Sequence, residues 1–218
     1  MRGLFVTGTD TEAGKTVLAA AICAALSARD ERVAAFKPAV TGLDEAAGDW
    51  PRDHELLAAC ASAGQRPDDV APYRFGPAVS PHYAAELAGT TIEPTKLAPA
   101  AELLVCEGVG GLMVPLTTGY LVRDLAVDLG LPVVIAARTG LGTINHTLLT
   151  IEAARAAGLR VAGVVMTPWP DEPEPIELSN RATVERLGGV NVSGLPPTRP
   201  DALAEAGASL PLDDWLSA

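Results

Sequence analysis

This chain has no long apolar run, little aromatic surface and few lysines, and each shortage closes off a class of function. None of its apolar stretches nears the roughly eighteen consecutive residues of a bilayer-spanning helix, and no basic-then-apolar leader is read before the first strand-like segment, so no membrane partner is expected. A net charge of −11 argues against the clustered basic face that nucleic acid requires. An aromatic content of 4% offers no stacking platform for single strands. Cysteine is scarce and odd in number. Cys23, Cys60 and Cys106 lack close paired spacing, which predicts buried thiols in a reducing, cytoplasmic compartment rather than disulfides or a metal site. Lysine occurs only at 15, 37 and 96, and the first two directly follow the first two strand-like runs, where an anionic substrate would be met.

The residues present are more specific. Leu4 to Thr16 reads LFVTGTDTEAGKT: an apolar run, a glycine turn, then Gly-Lys-Thr opening a helical stretch. Such a turn offers backbone N–H groups and a helix N-terminus to a phosphate, with Lys15 for the β- and γ-phosphates and the Thr16 hydroxyl for Mg²⁺. Five residues separate Gly8 from Gly14 where the common phosphate-binding loop has four, which marks a subfamily. A nucleoside triphosphate is the expected ligand.

Periodicity places strands at Gly3–Thr7, Arg32–Lys37, Leu103–Glu107, Pro132–Ala137, Arg160–Thr167 and, more weakly, Gly189–Leu195. Helices are expected at Thr16–Arg29, near Asp53–Ala63, after Pro81, and at Leu121–Leu129, Thr143–Ala157 and Ile176–Leu187; Pro38–Pro51 and the PWPDEPEP segment read as loops. Strands alternating with helices predict an α/β fold: a three-layer P-loop NTPase-like domain, spanning residues 1–218, with a mostly parallel central sheet. Ligands of such sheets gather at the carboxyl ends of the strands.

Glu107 closes an otherwise apolar strand and enters Gly-Val-Gly-Gly, a position where a charge is costly unless it meets a cation. With Thr16 and one more carboxylate it would suit Mg²⁺. Asp53 is the preferred third ligand, with Asp49 and Asp44 as alternatives that spacing does not separate. Lys37 either faces the same phosphates as Lys15 or snorkels from its strand end into water, and periodicity favours the latter.

The motifs GTDTEAGKT, KPAVTG, SPHYAA, CEGVGG and GLGTINHTLLT, in this order and spacing, closely resemble the dethiobiotin synthetase family, from Leu4 to about Trp169. The resemblance implies an ATP-dependent ring closure in biotin biosynthesis: CO₂ and one amine of 7,8-diaminopelargonate (7,8-diaminononanoate) form a carbamate, ATP phosphorylates it, and the second amine attacks to give the cyclic urea, ADP and phosphate. It further implies that Lys15 bridges phosphate and carbamate, that Lys37 stabilises the charge developing between them, and that Thr16, Asp53 and Glu107 hold Mg²⁺. Thr11, Thr41 and Ser80 would bond the carbamate or diamine, beside Val109, Gly110 and Gly111. Glu12, Ala13, Gly14 and Val17 would surround the phosphates. In the family's homodimers the far carboxylate of the substrate is met by the partner subunit, which assigns Leu141, Gly142, Thr143, Ile144 and Asn145 to the neighbour's site; His146 is not the candidate base.

Two positions depart from the pattern. Some relatives carry an asparagine after the fifth strand, where Thr167-Pro168-Trp169 stands here. The segment Pro196, Pro197, Thr198, expected at the nucleoside, is only loosely similar. A relaxed nucleotide preference follows from losing that amide, with Trp169 either stacking on the base or covering the sheet edge. Rival readings are a partitioning or cell-division ATPase, which carries a second lysine within the loop where this chain has Asp10 to Ala13, and an ATP-dependent amidase of cobalamin synthesis, which usually adds an amidotransferase domain.

Overall fold

The computed structural model of the protein describes residues 1–46 and 48–217. Six strands form one sheet: β1 (Arg2–Gly8), β2 (Val33–Phe36), β5 (Leu103–Gly111), β8 (Val133–Ala137), β9 (Val161–Met166) and β10 (Val192–Gly194). Their spatial order is β10-β9-β8-β1-β5-β2, and every neighbouring pair is parallel. The strands are nearly continuous apolar runs because helices cover both faces. β1 lies between β5 and β8, so the chain leaves it in opposite directions on its two sides, which opens a crevice at its carboxyl end.

Residue parity decides which face each side chain joins. On one face Leu4 and Val6 of β1, Val33 and Ala35 of β2, and Leu103 and Val105 of β5 pack against α1 (Lys15–Ser27) and α2 (Asp53–Cys60). Phe5, Ala34, Phe36, Leu104 and Cys106 point to the other face, covered in part by α5 (Val122–Leu129) and α6 (Thr143–Ala156). The same alternation carried one step further directs Lys37 and Glu107 to the α1 side. Because Phe36 registers with Cys106 and Val6 with Glu107, those two ends lie side by side.

Alanine-rich α1 is buried over most of its circumference, since it is sandwiched between the sheet and α8 (Leu203–Ala208). Gly207 permits that packing: a Cβ there would lie 2.1 Å from the Ala21 carbonyl oxygen. Neither α8 nor the terminal α9 (Leu212–Leu216) was expected from the sequence, although Leu203, Leu210, Leu212 and Trp215 seal the α1 face of the core.

The proline-broken middle of the chain is more ordered than its composition suggests. The expected loop from Pro38 begins with β3 (Ala39–Val40), which pairs with β4 (Tyr73–Arg74); Ala47 lies outside the described residues. α3 (Pro67–Val70) and α4 (Pro81–Leu87) flank that pair. After β5, β6 (Pro115–Thr117) and β7 (Tyr120–Leu121) form a short antiparallel ribbon, and α7 (Pro175–Gly188) precedes β10.

Candidate active site

The loop from Gly8 to Gly14 turns β1 into α1 with two left-handed residues, Glu12 (φ 58°) and Gly14 (φ 85°). Gly14 is required twice over: its φ disfavours a side chain, and a Cβ would meet the Thr167 methyl at 2.4 Å. Glu12 occupies the extra position of the five-residue loop and projects into solvent. Ala13 is buried beneath it. Lys15 turns back over the loop and donates to the Asp10 carbonyl at 2.8 Å. Its side chain is largely buried, and that burial holds its pKa below the ordinary lysine range, with Glu107 opposing the shift.

Beside it stands a compact ionic cluster. Lys37 Nζ donates to Glu107 Oε1 at 2.5 Å and to Asp53 Oδ2 at 2.6 Å, while Thr16 Oγ1 donates to the same Glu107 oxygen at 2.8 Å. Glu107 is fully buried, and burial pushes its carboxyl pKa upward against the pull of Lys37. Lys37 is almost as buried; desolvation favours its neutral form, but Glu107 and Asp53 more than reverse this and raise its pKa. Asp53, partly exposed at the start of α2, is held below the usual carboxylate range because Lys37 outweighs its own desolvation. Glu107 Oε2 has no hydrogen-bond partner among the described residues.

These groups form one wall of a cleft of about 880 Å³. Thr11, Glu12, Gly14 and Val17 line it from the phosphate loop, Thr41 and Ser80 from the segments after β2 and before α4, and Val109 and Gly110 from the end of β5. Gly111 lies next to this lining, in register with Gly8 of β1, where an added Cβ would stand 3.3 Å from the Gly8 carbonyl oxygen. Ser80 Oγ is 3.0 Å from His82 Nδ1. Among the acidic alternatives the geometry separates clearly. Asp53 joins the cluster, Asp44 packs against Gly76, and Asp49 lines a shallower hollow beside the cleft.

Lys37 does not snorkel into water. The sheet register delivers it to two carboxylates, a long-range outcome that local periodicity does not encode. Arg52, which the sequence reading passed over, also lines the cleft. Its guanidinium donates to the carbonyls of Gly42 (3.1 Å), Leu43 (3.2 Å) and Glu45, fastening the loop after β3 next to Asp53. Its position immediately before the candidate ligand was the available signal.

Two other groups of expected residues lie away from this cluster. Leu141, Gly142 and Asn145 are exposed at the start of α6 and do not line the cleft of their own chain; Ile144 is half-buried. The Thr143 hydroxyl is turned inward and donates to the Arg138 carbonyl at 2.6 Å, so what this helix end has to offer is backbone N–H groups and the exposed Asn145 side chain. Arg138 in turn donates to the Thr11 carbonyl at 3.0 Å, linking that segment to the phosphate loop. At the ends of β9 and β10, Thr167 packs its methyl against Gly14, and Pro196 to Thr198 follow at the same end of the sheet. Of the two roles considered for Trp169, the indole covers the sheet edge: it lies over Gly194, with the Arg181 guanidinium 5.4 Å from its ring centroid.

Known proteins are similar to this chain in sequence and in fold. The AAA domain family matches residues 2–206. The ATP-dependent dethiobiotin synthetase BioD of Bacillus subtilis (strain 168) is 37% identical over 204 residues, covering 90% of this chain and 87% of its own. That of Anaeromyxobacter dehalogenans (strain 2CP-C) is 42% identical over 216 residues, covering 95% of each. A ParA family ATPase structure from Chlorobium tepidum TLS superimposes with a TM-score of 0.53 at 12% identity, covering 95% of this chain and 88% of its own, a likeness of fold alone. The phosphate loop with its longer spacing, the buried ionic cluster beside it and near full-length identity to curated synthetases agree: the chain belongs to the ATP-dependent dethiobiotin synthetase family.

Proposed function

We propose that the protein joins CO₂ to 7,8-diaminopelargonate and closes the ureido ring at the expense of ATP. Family membership makes it an ATP-dependent ligase of biotin biosynthesis; the substrates, intermediates and residue roles are our reading. One amine of the diamine adds to CO₂ to form a carbamate. The carbamate oxygen takes the γ-phosphoryl of ATP, releasing ADP. The second amine then attacks the carbonyl carbon of the mixed anhydride, and phosphate leaves as the cyclic urea forms. The observation that carries this reading is the convergence of two ammonium groups, two carboxylates and the Thr16 hydroxyl on one cleft that also holds Thr11, Thr41 and Ser80.

Phosphoryl transfer of this kind needs positioning and charge neutralisation rather than a protein nucleophile. Lys15 would hold the transferring phosphoryl against the carbamate, with Lys37 countering negative charge on the carbamate side. Thr11, Thr41 and Ser80 would orient the carbamate and diamine, alongside the backbone from Val109 to Gly111. Glu12 to Val17 would wrap the phosphates, and Thr167 with Pro196 to Thr198 would meet the nucleoside. Thr16, Asp53 and Glu107 suit Mg²⁺, because all three offer hard oxygens and the buried Glu107 Oε2 has no hydrogen-bond partner among the described residues. When bound, Mg²⁺ would neutralise phosphate charge. The exposed Leu141–Asn145 turn would meet the substrate carboxylate in a partner copy of a homodimer. Three free cysteines, two of them buried, suit a cytoplasmic setting, and no described helix is long and apolar enough to cross a membrane.

Incubation with the diamine, bicarbonate, Mg²⁺ and ATP should give the cyclic urea, one ADP and one phosphate per turnover by mass analysis. ATP hydrolysis without a urea product would overturn this function.

A further inference from the structure

We infer that Lys37 is the resident counter-ion of the divalent-cation site, and that a bound cation and the Lys37 ammonium compete for the same two carboxylates. This rests on the metal-site reading above and deepens it. Glu107 Oε1 and Asp53 Oδ2, oxygens of the two carboxylates that would hold a hard cation, both accept from Lys37 Nζ, at 2.5 and 2.6 Å; Glu107 Oε2, without a partner among the described residues, is left free for the metal. Thr16, the third donor, is directed at the same Glu107 oxygen. With Lys15, the cluster holds two ammonium groups against two carboxylates, so it is balanced before any ligand enters. The Glu107 carboxylate has no exposed side-chain surface, and such a charge needs a cation at all times.

Lys37 therefore has two separable duties. Without metal it holds the ends of β2, β5 and α2 together through its contacts with Glu107 and Asp53. When a divalent cation takes over the carboxylates, their charge is satisfied twice and the ammonium is repelled. The 880 Å³ cleft lies directly beside it, and that is where anionic substrate groups would bind. The arrangement thus reconciles a lysine locked by carboxylates with a lysine that serves an anion: metal entry converts the first into the second.

The test uses the full chain with Mn²⁺ alone, without nucleotide, and reads bound metal by electron paramagnetic resonance. Removing the competitor in Lys37→Met should tighten Mn²⁺ binding at least about tenfold, and Mn²⁺ should raise the melting temperature of this variant more than that of wild type. Asp53→Asn should bind more weakly than wild type. Unchanged or weakened binding in Lys37→Met, with Asp53→Asn still impaired, would overturn the competition and leave the metal site standing. Absence of binding in every protein, or indifference to Asp53→Asn, would overturn both. Wild type supplies a measurement that survives if Lys37→Met does not fold. Acetylation of Lys37, mapped by mass spectrometry against exposed Lys96, should be slow without metal and at least about tenfold faster with saturating Mn²⁺. Equal rates would overturn the proposal.

Discussion

The half of this crevice proposed to hold phosphate and the half proposed to meet the nucleoside are built on different principles. At the ends of β1, β2 and β5, mostly buried charged groups are tied to one another at 2.5 and 2.6 Å and to the Thr16 hydroxyl and the Asp10 carbonyl at 2.8 Å. At the ends of β9 and β10, the side-chain contacts include a methyl against a glycine and an indole over another glycine. Ionic geometry is stringent, because a buried charge left without its partner is costly. Apolar contact is tolerant, and discriminates related ligands by only about 1–3 kcal/mol per group. The first half is therefore suited to a fixed chemistry and the second to a looser choice of nucleotide.

The largest expected effect lies in the charged half. Lys15→Ala should lower kcat for cyclic urea formation by at least about 10²–10³-fold while leaving the fold intact by circular dichroism; persistent turnover would remove Lys15 from the mechanism. Glu107→Gln should cost about 10²-fold in rate and raise the Mg²⁺ concentration needed for half-maximal activity. An unchanged Mg²⁺ requirement would detach Glu107 from the metal.

Arg52→Ala probes the border of the two halves. Freed from its guanidinium, the loop after β3 should open, raising the diamine KM about tenfold with kcat within about threefold; a matching loss in kcat would instead give Arg52 a part in the chemistry. In the nucleoside half, KM values for ATP, GTP and CTP should agree within about tenfold, and Trp169→Ala should move each by less than about threefold. A hundred-fold preference for ATP would erase the contrast between the halves, and a large Trp169→Ala effect would put the indole on the base.

The smallest effect is one of pH. Asp53 has its pKa lowered in the folded protein, chiefly by Lys37 against its own desolvation. Its ionised form therefore adds stability above the unfolded carboxylate pKa, about 4, and that contribution is lost as pH falls through the lower folded value. The melting-temperature gap between wild type and Asp53→Asn should accordingly close below about pH 4. A gap that persists in acid would mean that the ion pair with Lys37 is not its source.

Much of this site was legible without coordinates. The Gly8–Thr16 loop is local, with strand, turn and helix contiguous in the chain, so its residue types and spacing specify it. Glu107 was legible because a lone acid at the end of an apolar strand requires a partner. The six sheet strands were likewise evident as apolar runs, and their parallel order agrees with the alternation of strands and helices. That Asp53 rather than Asp44 or Asp49 meets Lys37 was not legible, since all three acids lie close together in the chain and differ only in where the fold carries them. Helices α8 and α9 were missed because their short apolar patterns acquire meaning only against α1.

The sequence by itself determined the phosphate loop, the strand parity and the identity of the acids and lysines, because these depend on neighbours a few residues away. The tertiary structure alone decided that Lys37 faces Glu107 rather than water. That pairing spans 70 residues and rests on the register of β2 against β5. A one-residue slip in that register would turn the lysine to the opposite face.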